Sequence, residues 1–369
     1  SLIHYLLFVT YFPHLIAGPV LHHKEMMPQF AQPETYRLSW DNMTIGLTIF
    51  AIGLFKKAVL ADGIAPYANQ AFAAVDAGER LDLLAAWGGV LAYTAQLYFD
   101  FSGYSDMAIG LSRMFGIVLP LNFNSPYKAV NIIEFWRRWH MTLSRFLRDY
   151  LYIPMGGNRK GRVRRHLNLM ITMLLGGLWH GASWNFVLWG GLHGLYLIAN
   201  HAWRALRERH YPSAKPAGSW GRTLAWAITF VAVVVAWVPF RATTTQGTLI
   251  MLSGMAGLNG VSLPAAFAPL LGGMGEALRA LGVEFTLGGG SRFVYTWAWS
   301  LSLLAIALFL PNTQELMRHH RPGFDFRPDE VTARLAWRPT PAWGLATALL
   351  AAAGVLSLSG ATEFLYYQF

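Results

Sequence analysis

Three uncharged apolar runs, each 18 residues long, constrain the fold of this chain more than any other feature of its sequence. They occupy residues 223–240, 293–310 and 342–359. A helix needs about 20 mostly apolar residues to cross the hydrocarbon core of a bilayer, so each run predicts a transmembrane helix. Charged residues make up only 13% of the chain, whereas about 25% is typical of soluble domains. The sequence therefore predicts an all-α polytopic membrane protein, and no boundary divides residues 1–369 into more than one domain.

Two further apolar stretches, residues 43–60 and 83–101, are also candidates for membrane-spanning helices. The first contains Lys56 and Lys57. We expect these two lysines at the membrane interface, because long charged side chains can extend their head groups to water.

Two aspartates, Asp100 and Asp106, lie at and after the end of the second stretch. A carboxylate is costly in lipid, so both side chains should face protein or water. The favoured structural interpretation is a helix boundary, at which Ser102 and Asp106 cap a new helix over residues 107–115.

Clusters of positive charge predict how the chain is oriented in the membrane. Residues 137–165 carry nine Lys and Arg but only one acid, Asp149. Residues 203–222 and 312–338 carry five Lys and Arg each, whereas the longer stretch 241–292 carries three. Because basic loops remain on the cytoplasmic side, the first three segments are predicted inside and the last outside. This distribution also explains the net charge of +10 without nucleic-acid binding, for which no recognition motif is present.

The apolar runs 167–179 and 184–199 lie between two basic, cytoplasmic segments, and they must therefore form a hairpin that enters and leaves on the same side. The first run has 13 residues, or about 20 Å of helix at 1.5 Å per residue. His180, which follows it, is predicted to lie deep within the membrane.

Residues 132–152 are predicted to form one amphipathic helix in the membrane interface, with His140 on it. Its apolar residues recur at steps of three and four, and three arginines lie largely on the rest of its surface. The apolar positions are Phe135, Trp139, Leu143, Phe146, Leu147 and Tyr150.

His180 is the main candidate for chemistry. A neutral imidazole can take the proton of a hydroxyl that attacks an acyl carbonyl, and burial disfavours the charged imidazolium. The neighbouring Gly176, Gly177 and Gly181 permit close backbone approach and a tight turn. Spacing alone supports equally a histidine that merely hydrogen-bonds a neighbouring helix.

Two other histidines compete with it. His140 could orient substrate, polarise a carbonyl or pair with His180, but an interfacial position without function fits its spacing equally well. His193 lies in an apolar span and is interpreted as a packing or pore-lining residue, with a direct role in the chemistry as the lesser alternative. Asn185 is a possible hydrogen-bond partner of His180.

The chain offers little for metal or covalent catalysis. It has no cysteine, which excludes disulfides, thiolate metal sites and a cysteine nucleophile. The histidine spacings lack the paired arrangement of a helical zinc site, so no metal is expected. Neither Ser105 nor Ser183 lies in a nucleophile-elbow motif.

Four long motifs in the middle of the chain occur together in one known family. They are Tyr98-Phe-Asp-Phe-Ser-Gly-Tyr-Ser-Asp-Met-Ala-Ile-Gly110, Phe135-Trp-Arg-Arg-Trp-His-Met-Thr-Leu-Ser144, Arg148-Asp-Tyr-Leu-Tyr-Ile-Pro-Met-Gly-Gly-Asn-Arg-Lys160 and Leu175-Gly-Gly-Leu-Trp-His-Gly-Ala182. In these motifs the chain resembles the membrane-bound O-acyltransferase (MBOAT) family. Residues 13–19, 310–315 and 364–369 further resemble its bacterial branch that serves alginate acetylation.

The resemblance implies a ring of tilted transmembrane helices, with re-entrant segments, around a central tunnel. It implies that His180 is the catalytic residue and His140 the second active-site histidine. Members usually have several more helices at the N-terminus, so this chain is expected to lack them. The branch works in the bacterial inner membrane with periplasmic partner proteins.

The sequence and the resemblance together predict an O-acetyltransferase that moves acetyl groups across the inner membrane to an exported, alginate-like polysaccharide. The acyl donor would be acetyl-CoA or an acyl carrier, with no permanently bound cofactor. A basic group could steer that donor or merely set the topology: Arg159, Lys160, Arg162, Arg164 and Arg165. A transporter or flippase without acyl chemistry, or a membrane scaffold, remains an alternative.

Overall fold

The computed structural model describes residues 1–15, 18–210, 218–327 and 335–359. Nearly all regular structure in these ranges is helical. In chain order the helices are α1 (Leu2–Thr10), α2 (His23–Phe30), α3 (Trp40–Phe55), α4 (Asp62–Asp76), α5 (Leu83–Met114), α6 (Ile132–Trp136), α7 (Met141–Leu147), α8 (Gly161–Leu178), α9 (Trp184–His210), α10 (Ser219–Arg241), α11 (Thr245–Met255), α12 (Ala268–Leu271), α13 (Gly273–Ala280), α14 (Gly290–Phe309), α15 (Thr313–Leu316) and α16 (Pro341–Leu356). The motif at residues 364–369 lies outside the described ranges.

Three helical segments are long and apolar enough to cross a membrane. They are α10 with 23 residues, α14 with 20 residues, and the 37-residue segment Trp40–Asp76 that joins α3 and α4. The predictions for residues 223–240 and 293–310 are thus confirmed. The run 342–359 forms α16, whose 16 residues are fewer than a full span usually requires. The protein is a multi-pass membrane protein.

A π-helical segment, Lys56–Ala61, joins α3 to α4 without interrupting the helix. The head groups of its two lysines do not extend to water as expected, but are largely buried against acids of α5. Lys56 Nζ lies 2.7 Å from Asp106 Oδ2, and Lys57 Nζ lies 2.7 Å from Asp100 Oδ1. Buried charges are tolerated when opposite charges meet them, and the aspartates of α5 supply those charges. The expectation that both aspartates face protein was confirmed.

Helix α5 is 32 residues long and forms the centre of the fold. Its N-terminus is capped by Asp82, whose carboxylate accepts hydrogen bonds from the backbone N–H groups of Leu84 and Ala85. The predicted helix boundary at Ser102 and Asp106 was wrong, because α5 continues through both residues. Two-thirds of its side chains are buried, so protein rather than lipid surrounds most of this helix.

Glycines let α3 and α5 approach at backbone distance. A Cβ atom on Gly46 would lie 2.5 Å from the carbonyl oxygen of Gly110, and one on Gly53 would lie 2.6 Å from that of Gly103. Small residues at such positions allow close helix packing in membranes. This contact places the lysines of the π-helical segment against the aspartates of α5.

Helices α8 and α9 form the predicted hairpin. A Cβ atom on Gly177 would lie 2.2 Å from the carbonyl oxygen of Phe186, and one on Gly190 would lie 2.3 Å from that of Met173. The connection between the helices is only residues 179–183. The role of glycine in close backbone approach was therefore predicted correctly. Helix α8 begins earlier than the apolar run, so Arg162, Arg164 and Arg165 form part of its first turns.

The segment predicted to be a long outer loop, residues 241–292, is largely structured. It contains α11, α12, α13 and a parallel pair of short strands, β1 (Val261–Pro264) and β2 (Val283–Thr286). Thr244 caps α11 by accepting a hydrogen bond from the backbone N–H of Gly247. This unit connects α10 to α14.

Candidate active site

The predicted single helix over residues 132–152 was wrong, because the chain breaks at His140. Helix α6 ends four residues earlier, α7 begins at Met141, and a π-helical segment, Arg148–Tyr152, follows α7. His140 has φ +42° and ψ 53°, a left-handed conformation that is uncommon for a residue with a side chain. A residue held in this conformation requires support from its surroundings.

Asn122 provides that support from the irregular segment before α6. Its backbone carbonyl accepts a hydrogen bond from Met141 N–H (2.9 Å). Its side-chain Oδ1 accepts from the Thr142 hydroxyl (2.9 Å) and the Thr142 N–H (3.4 Å), and lies 3.0 Å from His140 Nδ1. Its Nδ2 donates to Ser105 Oγ of α5 (3.1 Å). One asparagine thus caps α7 and holds the imidazole at the break.

Aromatic rings enclose the rest of the His140 side chain. The edge of the imidazole meets Phe101, with ring centroids 4.7 Å apart and an interplanar angle of 81°. Phe123 stacks at 6.5 Å. His140 is only 3% exposed, so it does not lie on an open, basic face of an amphipathic helix.

His180 lies in the turn between α8 and α9, two residues after α8 ends at Leu178. The turn requires Gly181, whose φ is +152°. The His180 ring is half-buried. Its ring centroid lies 5.0 Å from Phe240, 5.4 Å from Trp189 and 6.2 Å from Phe186.

The fold brings His140 and His180 together although 40 positions separate them in sequence. The two side chains are near enough for an electrostatic interaction between the imidazoles. Each lies where a helix ends, one held by an asparagine and the other in a glycine turn. Such an arrangement can place two ring nitrogens beside one reacting group, whereas two histidines within a regular helix would be fixed by the helix geometry.

His193 lies within α9 and is fully buried. Its Nδ1 accepts a hydrogen bond from the indole N–H of Trp136 (3.3 Å), and Phe135 stacks on its ring at 6.0 Å. Its Nε2 has no hydrogen-bond partner among the described residues. The Trp189 ring contacts both His193 and His180, with centroid distances of 5.0 and 5.4 Å. The structure therefore places His193 behind an indole rather than beside His180.

Asn185 lies at the start of α9 and is buried. Its Nδ2 donates to the carbonyl oxygen of Ala242 (2.7 Å), which ties α9 to the end of α10. Its Oδ1 has no partner within the described part of the chain. The predicted hydrogen bond between Asn185 and His180 stays a prediction.

An open cleft of about 950 Å³ leads toward the His140 side of the site. Its walls include Met141 and Thr142, which directly follow His140, and Leu121, which precedes Asn122. Thr172 and Met173 of α8 form another part of the wall. The cleft therefore reaches the backbone that holds the buried imidazole.

Arginines line this cleft in excess over acids. The basic lining residues are Arg137, Arg138, Arg145, Arg148 and Arg327, and the acidic ones are Glu134, Glu315 and Asp325. Arg138 pairs with Glu134 (2.8 Å) and Arg145 with Glu25 (2.7 Å), which leaves their charges compensated.

Two arginines of the cleft differ in their surroundings. Arg148 donates to Asp149 Oδ1 (2.7 Å), and this hydrogen bond lowers the pKa of the Asp149 carboxyl. Arg137 is exposed and makes no ion pair within the described ranges. Its guanidinium is therefore available to an anionic ligand.

The basic residues that the sequence suggested for donor steering lie elsewhere. Arg159, Lys160, Arg162 and Arg164 are exposed and, like the half-buried Arg165, do not line the cleft. No group of three or more metal-ligating side chains occurs in the part of the chain that the structure describes.

Comparison with known proteins gives the family. The sequence signature of the membrane-bound O-acyltransferase family matches residues 1–238. The chain belongs to this family. The resemblance found in the motifs and the all-α membrane fold are thereby confirmed.

Three curated relatives show the breadth of the match. A peptidoglycan O-acetyltransferase of Helicobacter pylori is 53% identical over 260 residues, which cover 70% of this chain and 47% of the relative. A probable alginate O-acetylase of Azotobacter vinelandii is 40% identical over 373 residues, covering this whole chain and 70% of the relative. A teichoic acid D-alanyltransferase of Streptococcus thermophilus is 33% identical over 167 residues, which cover 42% of this chain and 40% of the relative.

The sequence analysis missed two residues of the candidate site, Asn122 and Arg137. Asn122 was not singled out, and Arg137 was counted only among the positive charges that orient the chain in the membrane. The one signal for Asn122 was its position between apolar residues, Leu121 and Phe123, where an unpartnered amide would be costly. Nothing in the sequence distinguishes Arg137 from the basic residues around it.

Proposed function

We propose that this MBOAT protein is an O-acetyltransferase that transfers acetyl groups to hydroxyls of an exported polysaccharide. The observation that carries the proposal is the meeting of His140 and His180 at two helix breaks, beside a cleft with an arginine-rich wall. Two relatives are named as a peptidoglycan O-acetyltransferase and a probable alginate O-acetylase, and these names support acetylation of a polysaccharide.

His180 is the general base in this proposal. Its imidazole nitrogen takes the proton of the acceptor hydroxyl while the hydroxyl oxygen attacks the carbonyl carbon of the acetyl thioester. The carbon–sulfur bond then breaks, and the imidazolium returns the proton to the departing thiolate. The products are the acetyl ester and the free thiol of the donor. His140 assists next to this centre.

The acetyl donor enters through the cleft from the cytoplasmic side. Residues 137–165 form much of the cleft wall and carry the positive charge that keeps a loop in the cytoplasm. Arg137 is exposed there, and none of the described acidic residues forms an ion pair with it. Acetyl-CoA and an acylated carrier both present phosphate groups, which an arginine binds well. No cofactor remains bound between turnovers.

The acceptor lies on the other side of the membrane. The positive-inside distribution puts residues 241–292 outside, and the half-buried ring of His180 touches Phe240 at the edge of this unit. The protein accordingly works in the bacterial inner membrane, with periplasmic proteins that pass the acetyl group on or hold the polymer. The chain acts as one transmembrane domain.

A complementation experiment tests the proposal. A deletion strain receives either the full-length wild-type protein or its His180→Ala variant, and acetyl esters are measured in the exported polysaccharides. Wild type should restore the esters, whereas the variant should not, at equal abundance in the membrane. Restoration by the variant would refute the role of His180.

The transporter alternative predicts a different result for the same deletion strain. If deletion changes the amount of polymer outside the cell but not its acetyl content, transport rather than acyl transfer is the function. No structural observation favours this alternative, since the ion pairs of Lys56 and Lys57 join neighbouring helices and mark no path.

A further inference from the structure

The hydrogen bonds at Asn122 determine which of its amide atoms faces His140. The Thr142 backbone N–H can only donate, and it points to the same atom as the imidazole. The Thr142 hydroxyl accepts a hydrogen bond from Val20 N–H (2.9 Å), so its own hydrogen is free to point to Asn122. An atom approached by two donors must be the carbonyl oxygen, because an NH₂ group there would oppose both.

The orientation of the amide in turn determines the tautomer of His140. A carbonyl oxygen has no hydrogen to give, so the Nδ1 atom that lies 3.0 Å away must carry one. A neutral imidazole has one N–H and one bare nitrogen. His140 then has its hydrogen on Nδ1 and a lone pair on Nε2.

We propose that Asn122 is a positioning residue that holds His140 in the Nδ1–H tautomer, so that His140 presents a bare Nε2 to the reaction centre. That a reaction centre lies at this position rests on the proposed function. The tautomer itself rests on hydrogen bonding alone. It assigns His140 the role of a hydrogen-bond acceptor toward the hydroxyl or the protonated His180, and excludes a role as a donor to the developing oxyanion.

Burial makes this restraint effective. Asn122 is fully buried, its Nδ2 is anchored on Ser105 Oγ of α5, and its backbone carbonyl holds the first N–H of α7. Phe101 and Phe123 restrict rotation of the imidazole. Removing a hydrogen bond that fixes the tautomer of a metal-binding histidine commonly costs about 10- to 100-fold in metal affinity or activity, and we expect an effect of this size here.

The test measures the tautomer directly. Full-length protein labelled with nitrogen-15 histidine is reconstituted in lipid, and the His140 signals are assigned by their loss in His140→Gln. Nitrogen-15 spectra separate a protonated ring nitrogen from a bare one. Wild type should show Nδ1–H and a bare Nε2, and Asn122→Asp, which keeps an oxygen acceptor, should retain them. Asn122→Leu should lose this single tautomer.

Asn168→Leu serves as the matched control. Asn168 is also a fully buried asparagine, and its Nδ2 donates to the carbonyl oxygens of Met155 and Gly157, away from His140. This variant removes an equally buried amide, but it should leave the His140 signals unchanged. Loss of the tautomer in both variants would show a general effect on the fold and would overturn the proposal.

The rate of acetyl ester formation in complemented cells completes the test. Asn122→Leu should lower the rate about 10- to 100-fold, and Asn122→Asp should recover most of it. A wild-type protein with hydrogen on Nε2 of His140, or an Asn122→Leu variant with a normal rate, would overturn the inference. If wild type itself forms no esters, the proposed function fails, while the spectra still decide whether Asn122 sets the tautomer.

Discussion

The two turns that carry His140 and His180 differ in how each holds its imidazole. The His140 turn has a strained, left-handed residue, and polar contacts from Asn122 compensate it. The His180 turn follows the end of α8, relies on Gly181 for its shape and surrounds the ring with aromatic side chains.

This difference suggests a division of labour. An imidazole fixed by hydrogen bonds has a defined tautomer and little freedom, which suits a group that orients another. The His180 imidazole is half-buried in a glycine turn, a position from which a general base can reach a substrate hydroxyl. The predictions below test this division, beginning with the largest expected effect.

The largest effect is expected from His180→Ala. A positioned general base contributes about 100- to 10,000-fold to the rate, and the rate of acetyl ester formation should fall by that amount. His140→Ala should have a smaller effect. The double variant should be about as slow as His180→Ala alone, because groups that act as a unit do not contribute additively.

Equal membrane abundance of all three variants, measured by immunoblotting, is the control for this series. If His140→Ala were the slower single variant, the assignments of base and assistant would have to be exchanged.

A second prediction concerns the glycine contact beneath the His180 turn. Gly177→Ala places a Cβ atom against the carbonyl oxygen of Phe186, where no flexible side chain can yield. Overpacking typically costs about 1–3 kcal/mol, so thermal stability should fall. The rate should fall with it, since α8 and α9 must separate near the turn.

Gly191→Ala in α9 is the matched control, since its new Cβ atom would meet only the Leu174 side chain at 3.8 Å. The thermal midpoints of both variants in detergent would be compared with that of wild type. Equal midpoints for the two variants would show that the tight contact is not required.

A third prediction concerns His193, which neither turn contains. Replacing His193 with alanine removes one neutral hydrogen bond with Trp136, which contributes about 0.5–1.5 kcal/mol. Because no described contact joins His193 to His180 directly, the rate of ester formation should fall much less than in His180→Ala. A loss as complete as that in His180→Ala would assign His193 a direct role and break the comparison of the two turns.

The smallest effect is expected at the cleft. Arg137→Ala should weaken donor binding modestly, because contacts of exposed charges contribute about 0.2–1 kcal/mol. Transfer rates would be measured in vesicles at several concentrations of acetyl-CoA, and the effect should shrink at high salt. Arg159→Ala, outside the cleft, should behave as wild type. Equal losses in both variants would point to general attraction by the basic surface.

The apolar pattern of the sequence was enough to predict the parts of the fold that the membrane dictates. Residues 223–240 and 293–310 became α10 and α14, because a long uncharged run has no alternative to a helix in lipid. The hairpin of α8 and α9 followed from charge and from its glycines. Pattern failed at Lys56 and Lys57, whose partners lie on another helix and are invisible to local reasoning.

The candidate site was only partly predictable for a similar reason. His140 and His180 were found from their motifs, but the helical period over residues 132–152 concealed the break at His140. Local periodicity describes a helix that forms alone, whereas this break is stabilised by Asn122, which reaches His140 from an irregular segment.

The sequence alone determined that this chain is a helical membrane protein and which family it resembles, and it supplied two histidines as candidates for catalysis. Composition and short motifs are enough for these inferences, and the need for apolar residues in lipid is a local constraint that the sequence shows directly. Only the tertiary structure decided that the two histidines interact electrostatically, that Asn122 holds one of them and that Arg137 faces the cleft with no ion-pair partner among the described residues. Each of these depends on contacts between distant segments, and a hydrogen bond or an ion pair exists only once packing has brought its two partners together.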